Sequence, residues 1–408
     1  MSCVSTKTIT LMTINTGKGS ISLLCTVAIW SVSAIVSLPG LAVSPIMGEL
    51  DTIFPHAGEL EIEMLESLPS LMIIPFMLLA GRWSVRGNKQ RLLAIGTIIF
   101  FLSGVGCMLT RNILWLVIIG GIMGIGAGII IPLSTGLIVD YFTGDYRVKQ
   151  LGISSAINNL TLVIATALTG WLADREWHLA FVVYLFPLIT LLLLPALRRT
   201  PPTPEPQEGA QNRQTAINRG VIAKLMLFYF AITYLSLIVT FNTSFLVERD
   251  GMESSVSGII ISLFFLAIMA PGFVLNTIVR LFGRKVNLWA LIIMGIGLVV
   301  MSLDRHNVLT LIIGAAMTGL GYGVMQPIIY DKAATNSPPH LATLALSLTM
   351  AVNYLAILVA PFIIEFFDKL FDTTSSSFGF VFNGLATLYL AIVALITYRR
   401  SRILGSDD

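Results

Sequence analysis

The segment GIGAGIIIP at residues 124–132 returns as GLGYGVMQP at residues 319–327, 195 positions later. Both copies read Gly-x-Gly-x-Gly-x-x-x-Pro: Gly124, Gly126, Gly128 and Pro132, then Gly319, Gly321, Gly323 and Pro327. A phosphate-binding glycine loop would be followed by Lys and Ser or Thr and would stand between a strand and a helix; neither copy has that setting. Each lies inside a long apolar run, where spaced glycines let helices approach closely and a proline bends the axis. The expectation is a pair of symmetry-related helices in a duplicated helical protein.

Composition points the same way. Of 408 residues, 55% are hydrophobic and only 12% charged, with a mean hydropathy of +0.86. A water-soluble fold of this length needs far more charge on its surface. The net charge of +3 supplies no argument for nucleic-acid binding. Cys3, Cys25 and Cys107 are scattered, without metal-ligand spacing. The first long apolar run, from Ile21 to Val43, suits a membrane span better than a cleaved leader.

About 20 apolar residues cross a bilayer. Such runs occur at 21–43, 62–80, 92–110, 113–138, 150–172, 179–197, 221–246, 256–279, 287–303, 308–330, 341–364 and 378–398. Period-two alternation is absent, so the expected fold class is an all-α integral membrane protein with twelve transmembrane helices. A Pro-rich polar linker, 198–220, separates two six-helix bundles at 21–197 and 221–398. Short segments, 1–20 and 399–408, flank them. The glycine motif falls in the fourth helix of each bundle. A second pair, SVRGNKQRL (84–92) and RLFGRKVNL (280–288), follows the second helix of each, with Gly87 and Gly283 196 apart. Two motifs at nearly one offset mark internal duplication.

Alternating the spans from a cytoplasmic N-terminus puts 20 of the 25 Lys and Arg residues on the cytoplasmic side. That bias is the positive-inside pattern and places both termini in the cytoplasm.

Two repeated six-helix halves joined by a polar linker resemble the major facilitator superfamily of secondary transporters, with a leaning toward its drug-exporter branch. In that family the segment after the second helix reads roughly Gly-x-Leu-x-Asp-Arg-x-Gly-Arg-Lys. Here Gly81, Arg86, Gly87 and Lys89 match if one residue is missing, and the acid is replaced. The second copy keeps Gly283, Arg284 and Lys285. The resemblance implies a gate, and Asp140 and Asp331 are the expected acidic partners of these cations. GIGAGIIIP resembles the family's fourth helix, but Gly120 stands where drug antiporters carry an arginine, and the fifth-helix antiporter signature retains little beyond Gly170.

A substrate in such a fold lies near the midplane, between the halves. Polar and aromatic residues spaced along the spans nominate Trp30, Asn158, Tyr234, Tyr322, Gln326, Asn353 and Tyr354 as its contacts. The segment 48–69 carries six acids and no Lys or Arg. Within it Glu59, Glu63 and Glu66 share a helical face, and Glu66 lies deepest. Carboxylates buried at that depth are the residue type that carries protons in transport; Glu66, Glu63 and, on the eleventh span, Glu365 are the coupling candidates. The four histidines fall in loops without metal spacing, so neither a metal nor a cofactor is expected.

The favoured function is a secondary active transporter that moves a small, amphipathic organic solute by alternating access, with protons or sodium as the coupling ion and efflux as the direction. The expected setting is a bacterial cytoplasmic membrane, with the chain as a monomer. Uptake of a sugar or organic acid is the alternative within this class, and a non-transporting receptor is the alternative outside it. No catalytic constellation occurs at membrane depth, so an enzyme is not expected.

Overall fold

A computed structural model describes residues 13–17, 19–86, 88–198, 219–304, 306–336, 342–371 and 377–403. Among them are thirteen α-helices: α1 (Leu23–Ala34), α2 (Met47–Ile53), α3 (Glu59–Arg86), α4 (Lys89–Leu109), α5 (Ile113–Tyr141), α6 (Gly144–Ala173), α7 (Pro187–Leu193), α8 (Arg219–Arg249), α9 (Ser254–Phe282), α10 (Val286–Leu303), α11 (Val308–Thr335), α12 (Ala342–Leu370) and α13 (Phe378–Ile403). Eleven helical segments are long and apolar enough to span a membrane. The shorter apolar α1 lies where the first of the twelve expected crossings begins. Large apolar side chains such as Leu102, Leu192, Phe273, Leu281 and Leu385 are exposed on the outside of the bundle, as expected where hydrocarbon is the solvent.

Three details depart from twelve plain helices. The first crossing is broken: α1 stops at Ala34, and the chain resumes as a 3-10 turn, Leu41–Ile46, leading into α2. Pro39 cannot continue the helix, and Gly40 sits at φ +81. A side chain at Gly40 would also run into the backbone carbonyl of Glu66. The sixth crossing, Trp177–Arg198, is wound as 3-10, α and 3-10 in turn. Finally, an antiparallel hairpin pairs Thr13–Asn15 with Ser20–Ser22 ahead of α1. It docks on the α5–α6 turn, where Thr143 N donates to Thr16 O at 2.9 Å.

The glycine motif determines how each half packs. In the first half, a Cβ on Gly124 would strike the carbonyl of Pro69 on α3, and one on Gly128 would lie 2.8 Å from that of Ile73. Gly126 faces the other way, onto α4, where a Cβ would meet Gly96 O at 2.6 Å. In the second half Gly319 and Gly323 meet the carbonyls of Phe264 and Ile268 on α9, and Gly321 that of Ala290 on α10. The partners Pro69 and Ile73 lie 195 positions before Phe264 and Ile268. The repeat in sequence is therefore a repeat in contact: the fourth helix of each half presses backbone to backbone on its second and third helices. Pro132 and Pro327 lie inside α5 and α11.

The halves meet most extensively at α6 against α9 and α3 against α12; the 3-10 turn Leu41–Ile46 also packs on α8 and α9, and α2 on α8. Gly170 and Gly258 let the first pair come together, with Gly258's missing Cβ 2.8 Å from Thr166 O.

Candidate functional site

Call the end of the molecule carrying the hairpin and the last residues before the linker the linker side. On the opposite side the halves are bonded together. Ser244 Oγ accepts from Gly48 N at 2.8 Å and donates to Pro45 O at 2.7 Å. Ser257 Oγ also donates to Pro45 O, at 2.5 Å. Ser254 Oγ donates to Glu49 at 2.8 Å, Ser255 N donates to Asp174 at 3.0 Å, and Arg249 pairs with Glu59. Burial raises the Glu49 carboxyl above its usual 4.5; the Ser254 hydroxyl opposes that shift, and the nearby Glu248 and Asp174 add to it. Burial raises Asp51 in the same way, against the pull of Arg249.

Glu66 lies beneath this closed end, 1% exposed. One carboxylate oxygen accepts from Ser44 at 2.7 Å and the other from Thr240 at 2.8 Å. Ser44 belongs to the first half and Thr240 to the second, 196 positions apart, so the two donors occupy equivalent places in the repeat. The acid itself is not duplicated: 195 positions after Glu66 stands Ile261, fully buried. A single carboxylate therefore bridges the halves between two equivalent hydroxyls. Glu63, one turn nearer the closed end, is also buried. Glu365 lies apart from the bridge and pairs with Lys369 at 2.6 Å.

A cavity of about 760 Å³ runs from Thr240 down between the halves to Leu151 and Asp331, near the linker-side ends of α6 and α11. Its described lining contains no Lys, Arg or His. The first half contributes Ser33, Ser37, Ser134, Ser154, Asn158 and Asn159; the second contributes Thr233, Tyr322, Gln326, Tyr330, Asn353 and Tyr354. Of the candidate contacts, Asn158, Tyr322, Gln326, Asn353 and Tyr354 line the cavity. Trp30 and Tyr234 do not. Trp30 Nε1 donates to Gln150 at 2.9 Å inside the first half, and Tyr234 packs at the edge of two apolar clusters.

Hydrogen bonds hold these side chains in place. Asn158 Oδ1 accepts from Ser37 N at 3.2 Å, and its Nδ2 donates to Ser37 Oγ at 2.8 Å, clamping the break after α1. In the second half Thr233 donates to Asn353 at 3.5 Å, and Tyr322 donates to the same oxygen at 3.3 Å. Gln326 donates to Tyr229 at 3.0 Å.

On the linker side, Lys89 pairs with Asp140 at 2.7 Å, tying α4 to α5. Gly81 and Arg86 fall in the last turns of α3, and Gly87 lies outside the described residues. Gly283, at φ +51, opens the 3-10 turn that carries Arg284 and Lys285, both exposed. Asp331 stands at the cavity mouth. Sequence reasoning missed Ser44, Ser134 and Tyr330; shifting each polar residue by the 195–196 offset and asking which pairs survive would have singled them out.

Apolar helices in two packed repeats thus enclose one cavity with scattered hydroxyl and amide groups, closed at one end, which is the architecture of an integral membrane helical bundle. The profile of the Major Facilitator Superfamily matches residues 21–361 and 236–406, and the chain belongs to that superfamily. Over 119 residues it is 34% identical to the multidrug transporter protein MdtP of Bacillus subtilis (strain 168), a stretch covering 29% of this chain and 21% of that protein. Over 115 residues it is 28% identical to the quinolone resistance protein NorA of Staphylococcus aureus (strain Mu50 / ATCC 700699), covering 28% and 29%. The match thus spans under a third of the length of these relatives. Solved structures with the same fold include a POT peptide transporter (TM-score 0.72, 14% identity, 92% and 93% coverage) and a D-xylose–proton symporter (TM-score 0.72, 16% identity, 91% and 96%).

Proposed function

We propose that the chain is a secondary active transporter that exports small amphipathic organic solutes in exchange for protons, with Glu66 as the proton-carrying residue. The observation that carries this reading is the Ser44–Glu66–Thr240 bridge. One ionisable group joins the halves at the top of the cavity, so its protonation and the closure of the seam act on the same bonds. An ionised carboxylate accepts from both hydroxyls with charge-assisted strength. A protonated one surrenders part of that capacity, which favours parting of the halves. Proton binding from the far side then alternates with solute binding in the cavity, the two never holding the same conformation equally well.

The distribution of basic residues supports a cytoplasmic linker side, and on that reading the conformation is inward-open; the setting is taken as a cell membrane and the working unit as a monomer. Apolar and aromatic walls with hydroxyl and amide groups, and no cation in the described lining, suit an uncharged or cationic amphipath. The multidrug relatives support export over uptake. The test is ethidium flux in proteoliposomes: imposing a pH gradient should drive accumulation against concentration. Flux that merely equilibrates under every gradient would leave a facilitator and overturn the exchange reading.

A further inference from the structure

Gln326 stands in the second-half wall of the cavity, one turn of α11 before Tyr330. Its amide nitrogen is engaged twice: Nε2 donates to the Tyr229 hydroxyl at 3.0 Å and to the Tyr330 hydroxyl at 3.4 Å. The two phenols are fixed in turn. Their hydroxyls lie 2.8 Å apart, their rings meet edge to face with centroids 5.5 Å apart, and Tyr229 is wholly buried. With both amide hydrogens held by this pair, the carbonyl oxygen of Gln326 is turned away from the tyrosines. Oε1 accepts from no described residue and, unlike the side-chain oxygens of Asn242 and Asn383, is not sealed inside the packing. It is an acceptor open to the cavity and braced from behind.

The other amides of the described lining are set differently. Asn158 spends both ends on Ser37. Asn353 Oδ1 already accepts from Thr233 and Tyr322. Asn159 donates to Ser155 O at 2.9 Å, a bond within its own helix, with no neighbouring element to fix it. Gln326 thus combines an uncommitted oxygen with an amide locked by a second helix.

We infer that Gln326 Oε1 is the specificity-determining acceptor of the cavity, selecting cargo that carries an N–H donor over the same skeleton fully alkylated on nitrogen. The class of cargo is aromatic and protonated amines. A cargo that fills the cavity displaces solvent from this oxygen and has to replace the hydrogen bond. One without a donor leaves the oxygen unpaired, and binding weakens accordingly.

The inference rests on the cavity being the solute site, and the test reads binding apart from transport. The probes are rhodamine 123, whose two ring-borne nitrogens carry hydrogen, and tetramethylrhodamine methyl ester, the same cation with those hydrogens replaced by methyl groups. Fluorescence polarisation with the detergent-purified full chain would follow both. Gln326→Leu should weaken rhodamine 123 about tenfold and leave the tetramethyl dye within about twofold, the retained binding showing that the variant is folded. Gln326→Met should behave alike, and serves if the leucine variant fails to fold. Equal loss for both dyes, rhodamine 123 binding that survives the substitution, or wild-type protein that binds neither dye would each overturn the assignment. Wild-type protein that binds rhodamine 123 through Gln326 but moves no solute in proteoliposomes would defeat the transporter reading and leave the acceptor standing. Transport of ethidium by a chain whose Gln326→Leu variant spares rhodamine 123 would do the reverse.

Discussion

Glu66, a carboxylate with two donors, has no acidic counterpart in the second half, and the loss of either donor should be felt. Thr240→Val removes the second-half hydroxyl while keeping the shape. It should shift the population toward the open seam, read as faster alkylation of a cysteine placed at Ser244 on the closed side. A second residue gives a pH signature. Because burial raises the Glu49 carboxyl, its contribution to stability is complete below the unfolded value near 4.5 and is lost as pH rises through the folded value. Glu49→Gln removes that penalty at neutral pH. The variant should therefore melt higher than wild type at pH 7.5, with the difference closing toward pH 4.5, in thermal denaturation of the detergent-solubilised chain. Single residues were also where sequence reading reached least far. Glu66 and Asn158 were legible because an acid and an amide in an apolar run need partners. Ser44 and Ser134 were not, because a serine in a helix commonly bonds its own backbone and carries no mark of a long-range role.

Helices carry the duplication. The glycines of α5 and α11 sit backbone to backbone on their neighbours, so Gly126→Val and Gly321→Val should each destabilise the fold by about 1–3 kcal/mol through overpacking. Gly136 lies on the same helix α5 with open space where its Cβ would be, and Gly136→Ala should leave stability unchanged or raised by up to ~1 kcal/mol. Thermal stability in detergent, measured across the three variants, checks the contrast. Here the sequence was informative because the offset in numbering and the offset in contacts are the same 195. The break in the first crossing was not foreseen. A hydropathy window passes over Pro39 and Gly40, since both are tolerated in apolar runs. The Asn158 clamp that fixes the break comes from a helix 121 positions away.

For the whole molecule, the described bonds across the seam are gathered at one end and the cavity opens at the other. Alternating access requires that seam to part. A disulfide between cysteines placed at Asp174 and Ser255, in a background with Cys3, Cys25 and Cys107 replaced by alanine, should arrest ethidium transport on oxidation and release it on reduction. Architecture at this scale was readable from apolar run lengths, the position of the linker and the placement of Lys and Arg. Which end would be closed was not, since both conformations share one sequence and differ only in which contacts are made.

The most direct measurement of the central claim is ethidium flux in proteoliposomes under an imposed pH gradient, wild type beside Glu66→Gln. Wild-type protein should concentrate the probe in the direction set by the gradient, and the glutamine variant should only equilibrate it. A variant that still concentrates ethidium under the same gradient would contradict the assignment of Glu66 as the residue that joins proton movement to the seam.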